Sequence, residues 1–244
     1  MNLKNRYIRR KNRFIMYIPE ITSNLRKDII KVPAIIREQA SGIKLFGKHI
    51  KSLIFSTDIA IIMNTDADAV IAVYPFTPQL GITKAITEAA NIPVLCGVGG
   101  GLTNGLRSAN IALHAEFQGV FAVVLNAPAS FDTIQQVSQY IDIPVVVTVV
   151  SEYADVEEKL RAGASIVNVS GAKKTAFIVR KIRERYPELP IIATGGPTEE
   201  LILETIQAGA NAITYTPPTN AELFKLRMEQ YRIKEGNESG KDAS

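Results

Sequence analysis

A pattern of strand signals recurs about every fifty residues, and this repeat constrains the fold more than any other feature. In each repeat one apolar run follows a proline, and these prolines, Pro93, Pro144 and Pro190, lie 51 and 46 residues apart. A second apolar run follows a small-residue turn such as Ala162-Gly163 or Ala208-Gly209. A period of this length fits two helix–strand units. Each repeat is therefore predicted to be a βαβα pair.

Counting the apolar runs predicts eight strands, each followed by a helical segment. The predicted strands span residues 51–56, 69–74, 92–98, 119–126, 144–150, 165–170, 190–195 and 211–216. Continuous Val, Ile and Ala runs are typical of parallel strands buried on both faces. Eight such units in about 190 residues favour an α/β fold of the closed (βα)8 TIM barrel type over an open doubly wound sheet.

The segments outside the repeat predict a single barrel domain with two extensions. Residues 1–22 form a basic arm, and residues 23–234 form the barrel, with one or two capping helices over 23–41 broken near Pro33. These helices are expected to cover the N-terminal mouth of the barrel. Residues 235–244 are polar and predict a disordered tail.

Composition and charge exclude several classes of protein. Apolar residues make up 46% of the chain and charged residues 21%, which excludes a disordered protein. The net charge of +4 resides in the basic arm, so the arm is predicted to be solvated or to form a homodimer contact rather than to bind nucleic acid. No apolar run reaches the roughly 18 residues of a membrane helix.

Cysteine and histidine usage limits the compartment and the metal chemistry. The single cysteine, Cys96, excludes an internal disulfide and favours a reducing, cytoplasmic location. With two histidines in the chain, no metal site built from His and Cys is expected.

Polar residues near the carboxyl ends of the predicted strands are the candidate site residues, because barrel chemistry lies at those ends and strand residues two apart share a face. Asn126 and Asn168 are the strongest candidates, since asparagine is depleted in strands, whereas threonine has good strand propensity in any case. Asp58 is predicted as a general acid or base, and the two asparagines as groups that orient substrate or stabilise an oxyanion. The predicted substrate-binding residues are Thr148, Ser170, Lys173, Thr194 and Thr214, and Ser56 and Cys96 are placed on the same face.

Two glycine-rich loops are predicted to bind anions. Gly195 and Gly196 follow the seventh predicted strand, directly before a helix that begins near Thr198, and a helix N-terminus attracts phosphate. Together with Thr216, after the eighth strand, they form the predicted phosphate site. Gly99, Gly100 and Gly101 follow the third strand and predict a second anion site on the opposite side of the mouth. The alternative for both loops is a tight turn that needs glycine.

The seventh and eighth strand segment, PIIATGGPTEELILETIQAGANAITYTP, resembles the phosphate-binding half of the ribulose-phosphate-binding barrels. The loops GVGGG and ATGG are most similar to those of the histidine-biosynthesis isomerase and cyclase. The resemblance implies a small, sugar-phosphate-like substrate and a lyase or isomerase reaction. It also implies one aspartate at the first strand, where Asp58 stands, and another at the fifth, where this chain has Thr148.

Other functions remain alternatives. A lysine at the mouth end of a strand, which the aldolase relatives would imply, is missing, so a Schiff-base aldolase is disfavoured. The whole chain also resembles a poorly characterised bacterial barrel family labelled hydrolase. An FMN-binding barrel would use the same loops for the cofactor phosphate, and a phosphometabolite-binding barrel without catalysis would need no acid–base pair. The expected partner in every case is a small phosphorylated molecule and not a membrane.

Overall fold

Eight parallel strands close into a barrel in the computed structural model, which describes residues 19, 21–24, 26 and 29–239. The basic arm lies almost entirely outside the described residues. Around the barrel the strands follow the order β10-β3-β4-β5-β6-β7-β8-β9. Their bounds are β3 Ser52–Phe55, β4 Ala69–Ala72, β5 Val94–Gly99, β6 Ala122–Leu125, β7 Val145–Val149, β8 Ile166–Val169, β9 Ile191–Thr194 and β10 Ala212–Tyr215. The predicted (βα)8 TIM barrel and its eight strands are confirmed.

A helix follows each barrel strand. The helices are α2 Ile59–Met63, α3 Leu80–Ala89, α4 Gly105–Phe117, α5 Phe131–Tyr140, α6 Val156–Arg161, α7 Thr175–Arg185, α8 Glu199–Gln207 and α9 Asn220–Ser239, with α1, Ala34–Gln39, preceding the barrel. Side chains at N-caps start four of them, because an oxygen there accepts an otherwise unpaired backbone N–H. These caps are Asp58, Ser130, Asp155 and Thr198.

Strand residues alternate between two apolar clusters. One cluster fills the barrel and includes Leu53, Ile71, Leu95, Val146 and Ile192. The other lies between the sheet and the helices and takes the alternate residues, among them Ile54, Val70, Cys96, Val147 and Ala193. The strands are therefore apolar on both faces over most of their length, which explains their continuous Val and Ile runs.

A β-hairpin, and not a pair of helices, closes the N-terminal end of the barrel. Its strands are β1 Ile43–Leu45 and β2 Lys48–Ile50, and Leu45 and Ile50 belong to the interior cluster. Phe46, at the turn, packs edge to face on Phe121 with 5.8 Å between ring centroids. The predicted capping role of residues 23–41 is wrong, since the helix found there, α1, packs beside α8 and buries Ile36 in the outer cluster.

Helix α9 extends the chain beyond the predicted domain end. It runs for 20 residues, so the predicted disordered tail is wrong for residues 235–239, and residues 240–244 lie outside the described part of the chain. None of the helices in the described residues has the length and hydropathy needed to cross a membrane.

Candidate functional site

The carboxyl end of the barrel is lined by hydroxyl and amide side chains. Interior apolar residues stand two positions earlier on each strand, for example Val124 before Asn126 and Val146 before Thr148. The alternation therefore places the predicted residues on the inward side. These are Asn126, Thr148, Asn168, Thr194 and Thr214, with Ser170 and Thr216 continuing the same alternation beyond β8 and β10.

Three of these side chains form a hydrogen-bonded chain across neighbouring strands. The amide Nδ2 of Asn168 donates to Thr148 Oγ1 at 3.4 Å, and Thr148 Oγ1 donates to Asn126 Oδ1, also at 3.4 Å. The sheet register sets this arrangement, because Thr148 lies directly opposite Asn168 in the β7–β8 pair. The two predicted asparagines are thus brought together through a threonine on the intervening strand.

Two buried polar atoms at this end of the barrel lack a partner among the described residues. They are Asn168 Oδ1 and Thr214 Oγ1, in side chains of residues that are 8% and 6% exposed. A buried polar atom without a hydrogen bond costs free energy, so such atoms usually meet water or a ligand. The two atoms lie at the floor of the candidate site. The sequence predicted these two residues from their side-chain type, but it could not show that their oxygen atoms lack hydrogen-bond partners.

The prediction for the first barrel strand is wrong in its choice of face. Leu53 faces the interior, so Phe55 is the next inward residue, and Ser56 falls on the other face. Asp58 is the N-cap of α2, where its Oδ1 accepts from the N–H groups of Ala60 at 2.8 Å and Ile61 at 3.3 Å. The acid–base role of Asp58 stays a prediction, whereas Phe55, 41% exposed, is an aromatic mouth residue that a search for polar groups missed.

Cys96 does not face the mouth. It belongs to the outer cluster and is 3% exposed, so its predicted face is wrong and it is a small core residue. Burial raises the pKa of its thiol to about 12, and a hydrogen bond with Thr83 offsets this only in part. The thiol therefore stays protonated at neutral pH and is a poor nucleophile.

The loop between β9 and α8 has the backbone needed for an anion site. Gly196 has a φ of +82°, which favours glycine, and its N–H makes no hydrogen bond in the described chain. Gly195 serves packing instead, because a Cβ there would lie 2.7 Å from Ile213 and 2.8 Å from Ile202. Its N–H donates to the Thr214 carbonyl at 3.3 Å. Gly196 is thus the glycine whose amide is available to a ligand.

A cavity of about 850 Å³ opens beside this loop, within the size range of small-molecule sites. Thr194, Gly196, Thr214 and Thr216 line it from the strand ends, and Lys225 lines it from α9. Sequence reasoning missed Lys225 because α9 carries no motif. Its ammonium group is the positive charge of this lining, and Glu222 and Glu229 line the cavity from the same helix.

The glycine loop after β5 lies across the barrel from the β9 loop, as predicted, since the two strands are four positions apart in the closed order. Two of its glycines have packing roles. A Cβ on Gly100 would overlap the carbonyl oxygen of Asn126, and one on Gly99 would overlap the Ser108 hydroxyl. The Gly100 N–H already donates to the Thr103 carbonyl at 2.8 Å. Anion binding by Gly99, Gly100 and Gly101 stays a prediction.

Two lysines follow β8 at the rim of the mouth. Lys174 pairs with Glu152 at 2.7 Å, and this hydrogen bond lowers the pKa of the Glu152 carboxyl, which is therefore ionised at neutral pH. Lys173 is exposed and forms no ion pair within the described residues. The loop is held in an unusual conformation, with Ala172 at a φ of +51°. The role of Lys173 as a phosphate ligand stays a prediction.

Fold and site together define a (βα)8 barrel whose inward strand positions at the mouth carry no charge. No family model matches the sequence, and no curated protein matches it. Among solved structures, the chain is similar to phosphonopyruvate hydrolase in complex with oxalate and Mg²⁺, at 11% identity and a TM-score of 0.60, over 81% of this chain and 85% of that one. It is also similar to phosphoenolpyruvate phosphomutase from Streptomyces platensis subsp. rosaceus, at 14% identity and a TM-score of 0.57, over 77% and 81%.

A third similar structure is 2,3-dimethylmalate lyase, a member of the PEP mutase/isocitrate lyase superfamily, at 14% identity and a TM-score of 0.57, over 85% of this chain and 86% of that one. Identities this low show a shared barrel fold alone and say nothing about the reaction. The eight-stranded barrel implied by the sequence resemblance is confirmed. The similar structures do not place the chain among the ribulose-phosphate-binding barrels or with the histidine-biosynthesis isomerase.

The mouth residues do not match a magnesium site of the kind that the first of these complexes contains. Mg²⁺ in proteins is bound through one or two carboxylates, and the inward residues here are amides, hydroxyls and apolar groups. Within the described residues no three His, Cys, Asp or Glu side chains come close enough to hold a metal ion.

Proposed function

We propose that the chain binds a small phosphorylated metabolite at the carboxyl end of the barrel and acts on it as a lyase or isomerase. The observation that carries this proposal is the cavity of about 850 Å³ on which Gly196, Thr194, Thr216 and Lys225 converge, with Glu222 and Glu229 also on its α9 wall. Phosphate suits this set because backbone N–H groups, hydroxyls and a lysine are its usual ligands.

The phosphate end of the substrate lies, in this proposal, between the β9–α8 loop and α9. Gly196 lies two residues before Thr198, the N-cap of α8, and the partial positive charge of a helix N-terminus favours an anion. Glu199 and Glu200 in the first turn of α8 are exposed and oppose binding in part. On the α9 wall of the cavity Lys225 attracts the anion, and Glu222 and Glu229 beside it oppose binding in part.

The reacting end of the substrate lies against the amides of Asn126 and Asn168. Asn126 Nδ2 makes no hydrogen bond in the described structure, so it is available to an oxyanion on the substrate. No titratable side chain occupies the inward positions next to it. Proton transfer is then left to the substrate phosphate, whose second pKa is near 6, or to Asp58 at the rim.

The uncharged mouth also favours a second candidate, a barrel that binds a phosphorylated metabolite without converting it. Both candidates require the same phosphate site. They differ in whether a bound sugar phosphate changes chemically, which phosphorus NMR of the incubated sample records.

Phosphate binding is tested by thermal unfolding with Gly196→Asp and Gly101→Asp as matched variants. Both glycines have positive φ, +82° and +71°, so both variants introduce a carboxylate into similar backbone. A ligand at a hundredfold its dissociation constant stabilises by about 2.7 kcal/mol, which is roughly 5–11 °C for this chain length. We expect phosphate to raise the melting temperature of the unmodified protein and of Gly101→Asp, but not of Gly196→Asp.

The reverse pattern, with loss in Gly101→Asp only, would assign the anion to the β5 loop and overturn the proposed site. Absence of any stabilisation by inorganic phosphate or sugar phosphates would leave the glycines as turn residues. Since a Cβ added at Gly101 would meet no atom within 4 Å, its variant tests charge without a steric clash.

Replacing Lys225 by methionine is expected to weaken phosphate binding about threefold to tenfold, because an exposed lysine contributes a modest attraction to an anion. Methionine keeps the length and helix propensity of the side chain. Arg232→Met, on the same helix but outside the cavity lining, serves as control. Isothermal titration with inorganic phosphate measures the difference, and equal affinities in the two variants would remove Lys225 from the site.

A further inference from the structure

The floor of the mouth has buried polar atoms but no charge. Inward positions at this level carry Phe55, Val73 and Gly97 on one side of the barrel and amides and hydroxyls on the other, from Asn126 round to Thr214. None of these described positions has a lysine, arginine or histidine. A carboxylate buried there would have no cation to compensate the loss of its hydration.

The hydrogen bonds at the floor also disfavour a carboxylate on the ligand. Thr148 has one hydroxyl proton, which it donates to Asn126 Oδ1, and it accepts from Asn168 Nδ2. Asn168 Oδ1 is left as an acceptor without a donor. If Asn168 turned to offer Nδ2 to a carboxylate, its Oδ1 would need the Thr148 proton, and Asn126 would have to turn as well. In the orientation found, the chain of three presents to the ligand one acceptor without a donor, Asn168 Oδ1, and one free donor at its other end, Asn126 Nδ2.

From these observations, and resting on the proposed function, we infer that the substrate end at the floor carries uncharged hydroxyl groups and not a carboxylate, and that Asn168 and Thr214 select it. A ligand hydroxyl donates to Asn168 Oδ1, and a ligand hydroxyl pairs in either direction with the unpartnered Thr214 Oγ1. Both residues are more than nine-tenths buried, so the two contacts form away from bulk water.

This inference separates the chain from proteins that share its fold. The complex of phosphonopyruvate hydrolase contains oxalate together with Mg²⁺, so that barrel holds a dicarboxylate with a metal cation. The inward positions within the described residues have no cationic side chain and no carboxylates that could hold a metal. The difference lies in strand residues and follows from side-chain chemistry alone.

The test compares two phosphorylated compounds that differ at one carbon. Glycerol 3-phosphate ends in CH₂OH, and 3-phosphoglycerate ends in a carboxylate at the same position. Titration calorimetry of the full chain is run with each compound and with inorganic phosphate. We expect glycerol 3-phosphate to bind at least about tenfold more tightly than both 3-phosphoglycerate and inorganic phosphate, because a carboxylate cannot donate to Asn168 Oδ1 and would lose its hydration beside no cationic side chain.

Two variants of Thr214 connect the selectivity to the floor. Thr214→Val, which keeps the shape but removes the hydroxyl, is expected to weaken glycerol 3-phosphate binding about fivefold. Thr214→Ser is expected to restore the affinity. The free Thr214→Val protein should melt no lower than the unmodified one, because the variant removes an unpaired buried hydroxyl.

The outcomes distinguish the two proposals. If inorganic phosphate and both compounds fail to bind, the proposed function fails and the inference with it. If phosphate binds but 3-phosphoglycerate binds as tightly as glycerol 3-phosphate, or if neither compound exceeds phosphate, the phosphate site stands and the inference about the floor is overturned.

Discussion

Replacing Gly100 by alanine is expected to lower the free energy of unfolding by about 3 kcal/mol, equivalent to roughly 6–12 °C in melting temperature. The added Cβ would lie 2.8 Å from the carbonyl carbon and 2.9 Å from the nitrogen of Asn126, and it would overlap the carbonyl oxygen. These are backbone atoms next to a barrel strand, so no side-chain rotation relieves the contact. The φ of +104° adds strain for any residue with a Cβ.

The neighbouring glycine provides the control for this prediction. Gly101 also has a positive φ, +71°, but a Cβ there meets no atom within 4 Å. Gly101→Ala should therefore cost only the conformational part, about 1 kcal/mol. Chemical denaturation measures the free energy of unfolding of both variants. Equal losses of stability would show that the contact between the added Cβ and the Asn126 backbone does not destabilise the protein. Because Asn126 belongs to the mouth, Gly100→Ala should also weaken ligand binding.

The glycine loop after β5 shows what a motif can and cannot establish. The sequence correctly placed GVGGG at the mouth, opposite the ATGG loop. The sequence could not distinguish glycines that bind an anion from glycines that are needed because another atom lies where a Cβ would be. Both roles require the same residue. The distinction depends on which atoms approach the missing Cβ, and those atoms belong to Asn126 and Ser108, distant in sequence.

Strand alternation predicted most of the mouth and failed on β3 and β5, where polarity alone was used to choose the inward face. On β7, β8 and β10 the inward residues were identified correctly, because an interior apolar residue fixes the phase two positions earlier. On β3 a polar pair was chosen in place of Phe55, and the phase moved by one residue. On β5 the same search selected Cys96, although Leu95 faces the interior. Polarity alone does not set the phase of a strand that is apolar on both faces.

Elements without a strong sequence period were the ones missed. The hairpin that closes the barrel has strands of three residues, and its turn places Phe46 at a φ of +45° beside Gly47. Aromatic residues are uncommon in such turns, so the sequence lacked the usual Asn-Gly signal. Helix α9 likewise has no clear apolar face, with Phe224, Leu226, Tyr231 and Ile233 all exposed. Lys225 was missed together with it.

Arg183→Lys is expected to destabilise the protein by about 3 kcal/mol, although it keeps the charge. The Arg183 guanidinium donates to the carbonyl of Gly209 through Nε at 3.1 Å and Nη2 at 2.9 Å, and to Asn211 Oδ1 through Nη2 at 2.7 Å. Nη1 donates to the carbonyls of Tyr186 at 3.1 Å and Pro187 at 2.6 Å. One ammonium group cannot reach acceptors spread over two loops.

The expected loss of stability is large because Asn211, which accepts from Arg183, also hydrogen-bonds two other groups at the N-terminal end of the barrel. Its Oδ1 also accepts from the N–H of Ile191 at 2.9 Å, and its Nδ2 donates to Ser41 Oγ at 3.0 Å. Removing the guanidinium leaves partly buried carbonyls unpaired, and each such group costs about 1–3 kcal/mol at most. Contributions within one network do not add fully, which limits the total to about 3 kcal/mol.

Arg180→Lys on the same helix provides the matched control. Arg180 is exposed, so its replacement should change stability by less than about 0.5 kcal/mol. Urea denaturation measures the stability of both variants. A loss of less than about 1 kcal/mol in the free energy of unfolding for Arg183→Lys would contradict the stabilising role assigned to the Arg183 hydrogen bonds. Because this network lies at the end of the barrel opposite the mouth, the folded Arg183→Lys protein should keep its stabilisation by phosphate. Stability and ligand binding would then be shown to reside at opposite ends of one barrel, as strand direction requires.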